Sequence, residues 1–346
     1  MKKIKRYSAF LLMSLIALTA WAQDETPTTP PQNSLENLEL FSVGSGYNNG
    51  VYFLLATVLG GVISDPYGDL SCEHGGNCGV EGLLLVNVST PGSVANIEQL
   101  STKTLDSAFV QSNIAYWAYT ASGLYENKKP FEELRALASL YPEMLHLVVR
   151  ADSDIESITD LVGKRVAVGA KNTGTFLNVS DVLKAHGVDV SELQANHDDA
   201  PQAVEQFLAG DLDAIFFVAG APMPQVQYLA EETDIRLIPT SSAMIDSLLT
   251  RNQYYTATTI PAGTYPGVDE AVPSVAVRAL WLARADVVDD EMAYQLTKAL
   301  WRKEHAHWLE QVLPNSALSV KQSLDGIGIP LHPGAKRYYN EIGKRF

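Results

Sequence analysis

Gly44-Ser45-Gly46-Tyr47-Asn48-Asn49-Gly50 separates an apolar run at residues 38–43 from a second one at 51–58. The order reads as strand, glycine-rich loop, helix. Such a junction gathers backbone N–H groups and a helix N-terminus at one point, which suits an anionic or polar ligand. Two later loops repeat it: Thr90-Pro91-Gly92-Ser93, running into Val94-Ala95-Asn96, and Gly169-Ala170-Lys171-Asn172-Thr173-Gly174-Thr175. A fourth segment, Gln111-Ser112-Asn113, ends the β-like run at 105–110. In open α/β sheets, ligands bind beyond the carboxyl ends of the strands. The loops are therefore expected to form one site, and one that binds rather than catalyses.

Outward from this stretch, short β-like runs alternate with helical ones. Strands are predicted at 38–43, 82–88, 105–110, 165–169, 213–218 and 235–239, with 272–284 a long mixed run that reads as a further strand. Two more, 134–140 and 145–150, are expected to be separated by Tyr141-Pro142. Helices are predicted at 51–63, 93–100, 112–122 (stopped by Gly123), 175–185, 201–209, 223–232, 290–312 and near 336–342. This alternation implies α/β architecture, with parallel sheets covered by helices on both faces.

The 346 residues are ordinary in composition for a globular chain, and the length suggests two domains. Residues 1–22 read as a signal peptide. Lys2, Lys3, Lys5 and Arg6 precede a short apolar run, and Ala20-Trp21-Ala22 offers the small-x-small cleavage pattern. Residues 23–37 are polar and proline-rich and read as a disordered lead-in. Cleavage near Ala22 would remove four of the 25 basic residues and none of the 40 acidic ones, leaving a net charge of −19. Such a chain repels nucleic acid and anionic membrane surfaces. The periplasm is the expected location, and a monomer the expected state.

Cys72 and Cys78 flank Glu73-His74-Gly75-Gly76-Asn77. In an exported chain a close pair in a glycine-rich loop points to a disulfide; the alternative is a metal site using His74, which lacks a fourth ligand and the usual spacing. No metal and no cofactor are expected. No Gly-x-Ser-x-Gly pattern surrounds Ser45 or Ser93, and the glycine spacing at 44–50 does not fit a dinucleotide fingerprint.

Candidate ligand contacts are Ser45, Tyr47, Asn48, Tyr52, Ser93, Asn96, Gln111, Asn113, Asn172, Thr173, Gly174 and Thr175. Their hydroxyls, amides and helix-start N–H groups suit a small anion. The loops carry almost no acidic side chain in an otherwise acidic protein, which favours a carboxylate or phosphate.

Several of these segments, Gly44-Ser45-Gly46 with Gly50 and Tyr52, Gly92-Ser93-x-x-Asn96 and Gln111-Ser112-Asn113, carry a resemblance. So do Ala138 to Pro142, His146 to Arg150, Leu161-x-Gly163-Lys164-Arg165-Val166, Phe216 to Pro222 and Ile260 to Pro266, with Ile329 to Ala335 near the end. Together they resemble the TAXI-type solute receptors of tripartite ATP-independent periplasmic (TRAP) transporters, from about residue 38 onward.

The resemblance implies a two-lobed periplasmic binding protein of type II, each lobe a sheet flanked by helices. The expected lobes are 38–142 plus 285–346, and 143–284, with ligand in the cleft between them and Gly220 and Pro222 at its wall. It implies capture of a small carboxylate such as glutamate, glutamine or 2-oxoglutarate, delivered to TRAP membrane permease subunits. The same fold serving a signalling receptor is the alternative, and a periplasmic enzyme a further one. The chain departs from the family pattern at Asn113, where an acidic residue is usual, and at Tyr47-Asn48-Asn49. Loss of a carboxylate at Asn113 leans the expectation towards a dicarboxylate or oxo-acid.

Overall fold

The computed structural model describes residues 38–66, 72–74, 78–314 and 317–345. The expected signal peptide and lead-in lie outside the described residues. Among those described, no helix is long and apolar enough to cross a membrane.

The first half opens with β1 (Glu39–Gly44), α1 (Val51–Ile63) and a two-residue parallel pair, β2 (Ser64–Asp65) with β3 (Val80–Glu81). It continues with β4 (Leu83–Val88), α2 (Ser93–Ser101), β5 (Ser107–Gln111) and α3 (Ser112–Thr120). A long β6 (Leu134–Arg150) leads to β7 (Arg165–Ala167), α4 (Gly174–Ala185), β8 (Gln194–Asn196), α5 (Ala200–Ala209) and β9 (Ala214–Ala219). Then come α6 (Pro224–Glu232), β10 (Ile235–Ile238), α7 (Asp246–Arg251), β11 (Thr256–Ile260) and β12 (Val272–Arg284). The chain closes with α8 (Asp290–Leu300), α9 (Ala306–Val312) and α10 (Pro333–Glu341).

The main strands form one ten-stranded sheet in the order β4-β1-β5-β12-β6-β9-β7-β8, with β10 added to β6 and β11 to β12. β1 runs parallel to both β4 and β5, and β7 parallel to β8 and β9. The two long strands β12 and β6 are antiparallel and join these parallel halves. This is a mixed α/β sheet flanked by helices.

Sequence explains the local choices. α1 turns Val51, Leu55, Ala56, Leu59, Val62 and Ile63 into the core, a helical period on an apolar run. β5 is buried at all five positions, as a central strand covered on both faces should be. α5 starts with Asp199 accepting from Gln202 N and with proline in its first turn, and stops at Gly210 in the left-handed region.

Three expectations are corrected. Residues 134–150 form one strand, not two broken at Tyr141-Pro142. Pro142 pairs with Arg278 where pairing to β9, which begins at Met144, has ended. There the β12 ladder also slips register between Arg278 and Leu280. The missing N–H therefore falls at an irregularity, where proline is tolerated. The helix from Ser112 ends at Thr120, with Ala121 rather than Gly123 taking the first left-handed turn (φ 52°). The helix predicted over 290–312 is two, α8 and α9, with Trp301 closing the first. The short strands β8 and β11 were not foreseen.

Cys72 and Cys78 are joined by a disulfide, with Cα atoms 4.5 Å apart. Glu304 lies near the two sulfurs, but both are spent in the bond to each other, so the trio offers no ligand set.

Candidate functional site

Three helix starts meet in the middle of the sheet. The tight turn of Tyr47 to Gly50 leads into α1, Gly92 into α2, and Thr173 into α4. Gly92 sits at φ 102°, a conformation that side chains other than glycine rarely adopt. Neither α1 nor α2 has a side-chain cap, so their first-turn N–H groups are left for another acceptor. Thr173 does cap α4, accepting from Phe176 N at 3.3 Å while donating to Ala170 O at 2.6 Å.

Between these starts lies a chamber of about 70 Å³. Gly46, Tyr47, Gly50, Val51 and Tyr52 form one wall, and Pro91, Gly92, Ser93 and Gln111 the next. Thr173, Gly174 and Thr175 face them, and Tyr141, Glu143, Val218 and Ala219 complete the lining.

Glu143 is the group sequence reading missed. It rises from the middle of β6 and is 3% exposed. Tyr52 donates to its Oε1 at 2.5 Å and Gln111 Nε2 donates to its Oε2 at 2.8 Å. Burial pushes its pKa up to about 7, against the pull of those two hydrogen bonds. Burial likewise raises the hydroxyls of Tyr52, Tyr47 and Tyr141, with Glu143 adding repulsion to each. No Lys, Arg or His lines the chamber among the described residues. Charge compensation for Glu143 is therefore left to a proton or to the ligand. The available sequence signal was a lone carboxylate between Leu140 and Leu145 in an apolar run, masked by reading Tyr141-Pro142 as a break.

The predicted contacts divide into three groups. Tyr47, Tyr52, Ser93, Gln111, Thr173, Gly174 and Thr175 line the chamber. Asn48 lines a larger compartment outside it. The rest lie elsewhere, each for a visible reason. Ser45 is fully buried and donates to Asn87 Oδ1 at 2.6 Å and Val88 O at 3.0 Å, tying β1 to β4. Asn96 Nδ2 reaches the carbonyls of Gly44, Ser45 and Phe109, bracing the loop from behind. Asn113 is buried and donates to Asn178 Oδ1 at 3.0 Å. Asn172 is exposed at φ 61° and shapes the turn before α4. Gly220 and the cis-linked Pro222 lie beyond Val218 and Ala219, which take the wall position instead.

A relay crosses from one half of the sheet to the other. Glu143 holds Gln111, whose Oε1 accepts from Asn178 Nδ2 at 2.8 Å. Asn178 also donates to Gly174 O at 2.7 Å and accepts from Asn113. Gly174 is required here, because a Cβ on it would collide with the Gln111 amide. The two halves thus touch beside the chamber.

The outer compartment holds about 600 Å³ and shares Tyr47, Pro91, Thr173, Thr175 and Val218 with the chamber. Its far walls come from Phe216, Phe217, Met223 and the start of α5, where Asp198 and Asp199 stand.

Several aromatic and histidine side chains elsewhere are structural. Tyr254, Tyr255, Tyr265 and Trp281 are buried in the core and line neither compartment. His332 is fully buried, with Nε2 against Val288 O at 2.9 Å.

Among solved structures, the fold is similar to PhnD1 from Prochlorococcus marinus in complex with methylphosphonate: TM-score 0.50, 13% identity, over 88% of this chain and 99% of that one. It is also similar to the binding-protein component of an ABC phosphonate transporter from Pseudomonas aeruginosa: TM-score 0.50, 12% identity, over 82% of this chain and 80% of that one. At such identities the likeness shows the fold. The sequence model of the NMT1-like family matches residues 43–343, nearly all of the described chain, and the protein belongs to that family.

Proposed function

We propose that the protein is a periplasmic solute receptor that captures a small carboxylate in the chamber and hands it to the membrane subunits of a TRAP secondary transporter. The observation that carries this reading is the convergence of three helix starts, two without side-chain caps, on one chamber. Helix N-termini stabilise a carboxylate through free N–H groups and the macrodipole. The TAXI-type resemblance supplies the transporter class, and the expected leader at 1–22 supplies the compartment. The lobes are taken as 38–142 plus 285–346, and 143–284, with β6 crossing from the first to the second and β12 ending at the return.

Glu143 refines the expected ligand. An oxo-acid or dicarboxylate would set an unbalanced negative charge beside it, whereas an ammonium next to the carboxylate would balance it. Of the acids considered, glutamate and glutamine carry that group and 2-oxoglutarate does not. The earlier lean towards oxo-acids rested on Asn113, which faces Asn178 and not the chamber.

Thermal-shift screening of ligand-stripped protein against amino acids, oxo-acids and dicarboxylates tests the reading, because a ligand that binds the native state raises Tm by mass action. A shift with a carboxylate, without chemical change of that carboxylate, is expected. No shift with any of them overturns it.

A further inference from the structure

The chamber is small beside the compartment it adjoins, about 70 Å³ against about 600 Å³. A space of that size suits a compact head such as a carboxylate and its neighbouring amino group. Tyr47, Thr175 and Val218 line both spaces, so a longer ligand can run past them into the outer compartment. That compartment, at about 600 Å³, is in the range of pockets that enclose a whole organic ligand, roughly 300–1,000 Å³. It persists although the two halves of the sheet already meet through Gln111, Asn178 and Asn113. It is thus not space that those contacts have yet to close.

Its lining has a definite chemistry. Ala167, Ala170, Ala203, Phe216, Phe217 and Met223 present apolar groups. The charged side chains on it are Asp198 and Asp199, and no Lys, Arg or His lines it among the described residues. Asp198 is held by Asn196 Nδ2 at 2.8 Å and Gln206 Nε2 at 2.7 Å, and these bonds lower its pKa, so it stays ionised. A second carboxylate on the ligand would face these two anions with no cation to offset them. An apolar tail would instead bury surface against the alanines and phenylalanines.

We infer that the outer compartment is a tail subsite, and that the ligand is a monocarboxylate of amino-acid type with a large, mostly apolar tail rather than a compact dicarboxylate. This rests on the carboxylate-capture reading above and narrows it. Tyr47 stands between head and tail, lining both spaces, and is the side chain against which the tail turns.

Calorimetric titration of ligand-stripped, full-length protein with tryptophan, phenylalanine, alanine, glutamate and 2-oxoglutarate tests this. Tryptophan or phenylalanine is expected to bind at least about tenfold more tightly than glutamate, 2-oxoglutarate or alanine. Glutamate or 2-oxoglutarate binding as tightly as the aromatic acids overturns the tail subsite while leaving carboxylate capture intact. Binding by none of the five overturns the tail subsite, and carboxylate capture falls with it when the thermal-shift screen is also blank. Ala200→Phe, placed in the outer compartment at the partly exposed start of α5, adds a second readout. It should weaken tryptophan binding about tenfold and change alanine binding less than about twofold. An equal effect on the two ligands, or none on tryptophan, contradicts the assignment.

Discussion

The Tyr52 hydroxyl donates to Glu143 Oε1 at 2.5 Å, joining the first turn of α1 to the middle of β6 across 91 positions of sequence. With Gln111 on the other oxygen, it fixes a buried carboxylate in a chamber that has no cationic side chain among the described residues. Two consequences follow, one for stability and one for binding.

For stability, Glu143 rises from an ordinary 4.5 to about 7 in the folded chain. The folded state therefore holds a proton that the unfolded state has lost between those values. Linkage then makes ligand-free stability fall as pH rises from about 4.5 to 7 and level off above, by about 3 kcal/mol in total. Glu143→Gln should remove this slope. Differential scanning fluorimetry from pH 5 to 8 should show the variant gaining Tm over the native protein as pH rises, and a constant difference across that range would refute the assignment.

Ser93 and Thr175 separate support from contact. Ser93 Oγ accepts from the buried Gln111 N–H at 3.0 Å, so Ser93→Ala leaves that donor unmet and should lower stability by about 1–3 kcal/mol. Thr175 lines both compartments. Thr175→Ala should leave Tm within about a degree and weaken carboxylate binding by about 1–3 kcal/mol if a charge-assisted bond is lost. Denaturant melts and titration calorimetry on the two variants should show these opposite profiles.

Gly174→Ala probes the meeting of the two halves. The added methyl strikes the Gln111 amide, which must move and release both Asn178 and Glu143. Binding should fall by more than about tenfold, with secondary structure unchanged by circular dichroism. Native-like affinity would mean that the relay plays no part in shaping the chamber.

How much of this was legible beforehand depends on the range of the interaction. α1 and β12 were bounded correctly because apolar periodicity and glycine or proline punctuation are local signals. The loops at Tyr47, Ser93 and Thr173 to Thr175 were legible for the same reason, since a strand–glycine–helix junction is read within ten residues. Ser45, Asn96 and Asn113 belong to the same motifs but face away. Which side of a buried loop a short polar residue takes is decided by tertiary partners such as Asn87 and Asn178. Glu143 was hidden because a proline beside it suggested a break. Only the pairing of β6 with β12 shows the strand running through.

The central claim is that the chamber holds a carboxylate on its helix starts and an ammonium on Glu143. Calorimetric titration of a bound amino acid at pH 7, in buffers of different ionisation enthalpy, tests it most directly. An ammonium favours ionised Glu143, so binding should release up to about half a proton, and the release should vanish in Glu143→Gln. Proton uptake on binding, or release that persists unchanged in the variant, would contradict the account.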